Sequence, residues 1–329
     1  MRQAGRYMRQ FRSYSDRYPF RHRSETPHIA RELSLQPWRA FGVDAVIFFS
    51  DILTPLPAFG QQFDIVRGTG PVIASPLRSE RDLQRVVDSA LHLDKLRFVN
   101  TILQALRNDV DDQTALLGFV GAPFTLAAYM IEGSSTKNIM NVKRFMFSQS
   151  EPTLHRLLDR LSHIVAEYAA FQIHSGAQAV QLFDSWAHHL SPDQYARFAI
   201  PYAKQSIQAI KQRFPHIPVI FFANGLAGKV SDVCTEFNNV ADVLAVDWSV
   251  RLSDVRREWD GVLQGNVDPA VLAVGDHQAI QHAVLDTVQQ NGGMQKLIIN
   301  LGHGVVQQTP ESAVQTFVDH VKQLAPLSV

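Results

Sequence analysis

A single cysteine, Cys234, stands in 329 residues, which excludes an internal disulfide and any multi-thiolate metal site. That scarcity suits a reducing compartment, so a cytosolic home is expected, or a plastid if the source is a photosynthetic eukaryote. No stretch approaches the roughly 20 apolar residues of a membrane span, and the start carries no apolar signal segment. Net charge is lacking too. Lys plus Arg and Asp plus Glu both number 31, so no global field draws the chain to nucleic acid or to a membrane. The G-x-G-x-x-G and Walker loops that cradle phosphates are absent, and no lysine stands at a strand end for a Schiff base. No low-complexity linker or composition shift marks a boundary, and 1–329 reads as one domain.

Seven short apolar runs are present, at 44–51, 115–123, 179–185, 218–224, 243–248, 262–266 and 296–303. Each has strand length, and each precedes a segment of helical periodicity. Continuous rather than alternating apolarity is what a parallel strand covered on both faces requires. Every run closes on a polar or glycine cluster, which is where a (β/α)8 TIM barrel gathers its site, at the C-terminal strand ends. Helices are expected at 27–41, at 80–107 as two pieces, and at 150–174, 191–213 and 309–324. Ser or Thr with Pro one or two residues further on opens the last three. An eighth strand is expected near Met1, ending in the Arg2/Arg6 cluster.

Charge is locally uneven. Residues 1–23 hold seven arginines against one acid, Asp16. Two readings stand: a solvated basic arm, or a guanidinium cluster for a multiply carboxylated ligand, since planar forks bind carboxylates in bidentate fashion. Asp51 closes the first run and is either a turn carboxylate or a charge aimed into the barrel mouth to stabilise a nearby cation. His303, between Gly302 and Gly304, is either an exposed turn histidine or a proton donor and acceptor at the last strand end. Ser185 lacks the G-x-S-x-G elbow and reads as a hydrogen-bond donor. The adjacent His188 and His189 cannot share the i,i+4 face of an H-E-x-x-H zinc site and read as structural. Tyr129 is packing or an orienter of a carboxylate. Cys234 reads as a core thiol.

Five motifs in order resemble the uroporphyrinogen decarboxylase family. They are Met1-Arg2-Gln3-Ala4-Gly5-Arg6-Tyr7, Phe49-Ser50-Asp51-Ile52-Leu53, Gly118-Phe119-Val120-Gly121-Ala122-Pro123, Gln264-Gly265-Asn266-Val267-Asp268-Pro269 and Asn300-Leu301-Gly302-His303-Gly304. The resemblance implies decarboxylation of the four acetates of uroporphyrinogen III to coproporphyrinogen III, with no metal and no organic cofactor. It further implies Asp51 beneath the macrocycle, Arg2 and Arg6 on carboxylates and assisting protonation, and Gln3, Ala4 and Gly5 shaping the arginine loop. Tyr129, Ser185 and His303 would contact substrate. A homodimer is implied, as is a first barrel strand whose upstream part precedes Met1. Departures from the family pattern are Met8-Arg9-Gln10-Phe11, Phe124 for a common Trp, and His188-His189. Two alternatives differ in class: a methyltransferase of related fold, which would want a thiolate zinc site, and a non-catalytic porphyrin-binding protein.

Overall fold

The computed structural model describes residues 5–66 and 68–324. All seven apolar runs are strands: β1 (Ala45–Ile47), β4 (Ala115–Gly121), β5 (Ala179–Asp184), β6 (Val219–Ala223), β7 (Val243–Val246), β8 (Val262–Val267) and β9 (Leu297–Leu301). Their spatial order is β1-β4-β5-β6-β7-β8-β9, and every neighbouring pair is parallel. The sheet curls. Val180, Leu182, Phe221 and Leu244 face the outer helices in the main core. Alternate residues Phe183, Ile220, Phe222, Val243 and Ala245 form a separate inner cluster, as the two-residue period of a strand dictates.

The eighth strand is not among the described residues. Arg2, Gln3 and Ala4 lie outside them, and Gly5–Met8 is a turn closed by Met8 N–H on the Gly5 carbonyl at 2.8 Å. The helix Arg9–Ser15 follows directly, so Arg6 sits in a turn and not at a strand end. The two sheet edges, β1 and β9, are spanned instead by side chains. Tyr7, Met8 and Phe11 pack with Phe49 beyond β1 and with Val267, Leu301, Val314 and Phe317 from the far side. Each such buried side chain contributes about 1.5–3 kcal/mol.

Two further elements depart from the sequence expectation. The hairpin β2 (Phe63–Val66) and β3 (Gly70–Ile73) is antiparallel and was not anticipated. The segment 191–213 is two helices, Pro192–Phe198 and Ile200–Arg213, because Pro201 removes a backbone donor at the junction. Ser191 does make the anticipated cap, with Gln194 completing a capping box. Ser150 makes no side-chain cap for the helix Glu151–His174. That helix serves the sheet in another way. The Gln172 amide accepts from Phe119 N–H at 2.8 Å and donates to its carbonyl at 3.0 Å, replacing the ladder where β1 has ended.

Candidate active site

The C-terminal strand ends open on a cavity of about 1040 Å³, at the upper limit of small-molecule sites, which run to about 1,000 Å³. Its floor and walls include Phe48, Phe49, Ser50, Asp51, Phe119, Tyr129 and Phe183. Its lip is formed by Arg6, Arg12, Arg17 and Arg23 on one side and by the hairpin residues Asp64, Ile65, Val66 and Thr69 on the other. Four cations thus meet three carboxylates, Asp16, Asp51 and Asp64, among the described lining residues. The hairpin is tied to the arginine segment by Arg21, whose guanidinium donates to the Phe63 carbonyl at 3.3 Å and lies 5.6 Å from its ring.

Asp51 is a turn carboxylate that also lines the cavity. Its Oδ1 accepts the Leu53 N–H at 2.9 Å, its own N–H donates to Thr54 Oγ1 at 3.2 Å, and Ser50 and Thr54 hydroxyls share a bond of 2.7 Å. That turn fixes a half-buried carboxylate on the cavity wall. Behind it stands Tyr168, which the sequence reading missed. Its hydroxyl is fully buried beside Ser50 without a well-directed partner. Burial pushes its pKa far up, the Asp51 charge adds to the rise, and Ser50 opposes it. Phenolic OH is therefore the form held there.

Ser185 and His303 line a small crevice of about 10 Å³ with Phe222, Gln264 and Gly304, room for about one water. Phe183 borders both this crevice and the large cavity, so the two spaces adjoin. His303 meets the edge of Trp248, with ring centroids 5.8 Å apart. The neighbouring Gly302 is required by close approach, because a Cβ there would lie 2.4 Å from the Trp248 nitrogen. Tyr129 does two things: it lines the cavity and packs edge-on against Trp186 at 4.7 Å. Gly5 is buried under Phe11, and a Cβ would approach that ring to 2.9 Å. Arg2, Gln3 and Ala4 fall outside the described residues.

Beneath Ser185 lies a buried polar network that no motif announced. Asp184 Oδ1 accepts from Thr125 Oγ1 at 2.7 Å, and Thr125 accepts from Trp186 N–H at 3.3 Å. Tyr195 and Lys229 lie near the carboxylate, whose Oδ2 has no well-directed hydrogen-bond partner. Burial pushes the Asp184 carboxyl up to about 6, opposed by Thr125, Tyr195 and Lys229. Asp247 accepts backbone N–H bonds from Gly225, Leu226 and Ser249, the last two at 3.0 and 2.7 Å. Lys229 is held below its ordinary pKa by burial, with Asp247 and Asp184 opposing the fall. His188 leans on the Ser185 carbonyl and Asn224, and its ring lies 3.9 Å from that of His189, tilted by 37°. Burial lowers His189 to about 4, aided by His188 and Lys143. Cys234 is buried on the helix Val230–Phe237, its thiol pushed up to about 12 by burial and by Glu258.

Among the described residues no helix is long and apolar enough to cross a membrane. The sequence pattern of the family described as uroporphyrinogen decarboxylase matches residues 1–324. The uroporphyrinogen decarboxylases of Nostoc punctiforme and Crocosphaera subtropica are each 47% identical to this chain. The first alignment covers 98% of this chain and 91% of that relative, the second 99% and 91%. That of Synechocystis is 46% identical over 99% and 92%. Among solved structures, a methyltransferase from Methanosarcina mazei superposes with TM-score 0.75 at 16% identity, covering 94% and 90% of the two chains. A B12-independent methionine synthase from Shewanella does so at 0.60 and 11%, covering 90% and 88%. At those identities the two structures speak for the fold alone.

Proposed function

The chain belongs to the uroporphyrinogen decarboxylase family, and from that premise we propose how its cavity removes the four acetate carboxyls of uroporphyrinogen III. The observation that carries the reading is the juxtaposition of Asp51, on a turn locked by Leu53 and Thr54, with an arginine lip around one large cavity. A porphyrinogen octa-acid is repelled by a carboxylate-rich site, so one inner carboxylate among arginines is the workable compromise. Asp51 accepts pyrrole N–H bonds at the centre of the macrocycle, and the arginines hold the peripheral carboxylates.

Protonation of a pyrrole carbon makes the ring a cation. The C–C bond to carbon dioxide then breaks, its electron pair neutralises the ring, and an exocyclic methylene is left. A proton on that methylene gives the methyl group, and loss of the first ring proton restores the pyrrole. Each cycle consumes one proton and releases one carbon dioxide. Arg2, Arg6 or a water delivers the protons, and Tyr129, Ser185 and His303 orient the substrate. A fixed charge facing the developing cation is worth about 3–4 kcal/mol, by analogy with single oxyanion-hole donors. We also read the curled sheet as a (β/α)8-type barrel in one domain, and the chain as a homodimer, which sedimentation at micromolar concentration decides.

Incubation of the purified chain with uroporphyrinogen under reducing conditions tests the reading. Stepwise loss of carboxylates to the tetra-acid is expected. Tight binding without product marks a porphyrin-binding scaffold instead, and zinc-dependent methyl transfer would revive the methyltransferase alternative. Asp51→Asn should keep the urea midpoint and lose about 100-fold or more in turnover. Near-normal turnover refutes the assigned role.

A further inference from the structure

We infer that Arg23, on the short helix Phe20–Glu25 at the cavity lip, is a receptor for a peripheral carboxylate of the substrate. The proposal rests on the functional reading above and adds to it a residue outside the family motifs.

Arg23 is held as a structural arginine is not. Arg256 shows the structural pattern: its guanidinium donates to Asn291 Oδ1 at 3.0 Å and to the carbonyls of Trp259, Gly261 and Lys296 at 2.9, 2.9 and 3.2 Å. Arg23 makes one bond, from Nη1 to the Ser15 carbonyl at 3.3 Å, and its buried Nε has no partner. No carboxylate of the described residues forms an ion pair with it, although twelve such pairs exist elsewhere in the chain. An orphan Nε alone would prove little, since Arg160 has one too. Arg160, however, does not line the cavity; Arg23 does.

Its surroundings make an anion the missing partner. The guanidinium lies 5.4 Å from the Phe20 ring centroid, which fixes its plane and keeps water from one face. Desolvation lowers its pKa first, the Arg6 charge lowers it further, and Asp16 opposes both. A cation half-withdrawn from water beside another cation is unfavourable until an anion bridges them. A planar fork that makes a single bond to the protein is the group that takes a carboxylate in bidentate fashion. The Phe20 ring that carries Arg23 meets Phe49, with centroids 5.5 Å apart, and Phe49 leads into the Asp51 turn, so Arg23 is reached from that turn through two aromatic rings. The carboxylate held by Arg23 is therefore peripheral and is not the one being lost in that cycle. A cation clamped on the departing carboxylate would stabilise the ground state and oppose release of carbon dioxide.

Steady-state kinetics with uroporphyrinogen on the wild type, Arg23→Gln and Arg23→Lys test this. A charge-assisted hydrogen bond to a carboxylate is worth about 1.5–3 kcal/mol, so Arg23→Gln should raise KM about 10- to 100-fold. Its kcat should stay within about threefold, because the interaction is the same in ground and transition states. Arg23→Lys should restore part of the loss by charge without the fork, and the dependence of KM on salt should be shallower in Arg23→Gln. The urea midpoint should not move. An unchanged KM in Arg23→Gln, with an active wild type, removes Arg23 from the site and leaves the decarboxylase reading intact. A fall in kcat that tracks a lower urea midpoint makes the residue structural and overturns the proposal. A wild type inactive on uroporphyrinogen overturns the functional reading and this one with it.

Discussion

The strand-end floor and the arginine lip hold their charges in opposite ways. Under the strand-end floor, in the network beneath Ser185, Asp247 is buried and takes three backbone N–H donors, and Asp184 is buried against Thr125 with Tyr195 and Lys229 nearby. At the lip, Arg6, Arg17 and Asp16 are exposed, and Arg23 has one long bond. That network is carried by β5 and β7, each paired on both sides. The lip is carried by helices of seven and six residues and by a two-stranded hairpin. Such short elements gain little from their own hydrogen bonds and depend on packing. The division suits the reaction proposed: groups aimed at the ring must be fixed in advance, whereas groups that receive flexible side-chain carboxylates can be completed by the ligand.

The harshest way to break this comparison is to empty the floor. Asp247→Ala leaves the Gly225, Leu226 and Ser249 N–H groups without their acceptor and removes the larger of the two acid charges acting on Lys229. A loss of about 3–5 kcal/mol is expected from removing one member of such a buried charged set, read as the urea midpoint. Asp247→Asn is no rescue. Its two oxygens now accept on both sides, Oδ2 from Gly225 and Leu226 and Oδ1 from Ser249, and an amide nitrogen would confront one of those donors. If Asp247→Ala unfolds within 1 kcal/mol of the wild type, as a lip substitution would, the floor is no more committed than the lip.

A gentler probe uses pH. The Asp184 carboxyl is raised to about 6 in the fold, against about 3.9 in an unfolded chain. Between those values the native state binds the additional proton, so its stability falls as pH rises from about 4 to 6 and stays lowered above. The difference between wild type and Asp184→Asn should therefore shift against the wild type by about 2–3 kcal/mol between pH 4 and pH 7.5. Asn keeps an acceptor for Thr125, so the fold should survive. A difference that is flat with pH would mean that Asp184 is ionised throughout, with Lys229 dominating over burial.

The same division explains what could be read in advance. The seven strands were legible because burial on both faces writes a continuous apolar run that no tertiary detail can disguise. Asp51 and His303 were legible as polar residues closing such runs. The network under Ser185 was not, because its partners are far apart in sequence: Thr125 lies 59 residues from Asp184, and Gly225 lies 22 from Asp247. Tyr168 was hidden inside a helix whose period it obeys. The hairpin gave a weak signal that could have been taken, since Gly68-Thr69-Gly70 joins two short apolar runs in the pattern of a glycine-containing hairpin loop. The expected eighth strand falls outside the described residues; within them, the buried Tyr7, Met8 and Phe11 are delivered between the sheet edges by a turn at Gly5–Met8 that leads into a helix.

The smallest expected effect sharpens the comparison from the lip side. Asp16 is exposed, lines the cavity and is the acid that opposes the lowering of the Arg23 pKa. It has no buried role to lose: its N–H caps the helix Arg9–Ser15 on the Arg12 carbonyl at 2.9 Å, which any residue can do. For an anionic substrate it is a competitor for the same cations. Asp16→Asn should therefore lower KM for uroporphyrinogen about two- to threefold, the scale of an exposed charge pair worth less than about 1 kcal/mol. The gain should vanish in about 1 M salt, where the screening length falls to roughly 3 Å. The urea midpoint should hold within about 0.5 kcal/mol. A KM that rises instead would show that Asp16 orients Arg23 for its carboxylate, which would make the lip a preformed receptor like the floor and erase the contrast between them.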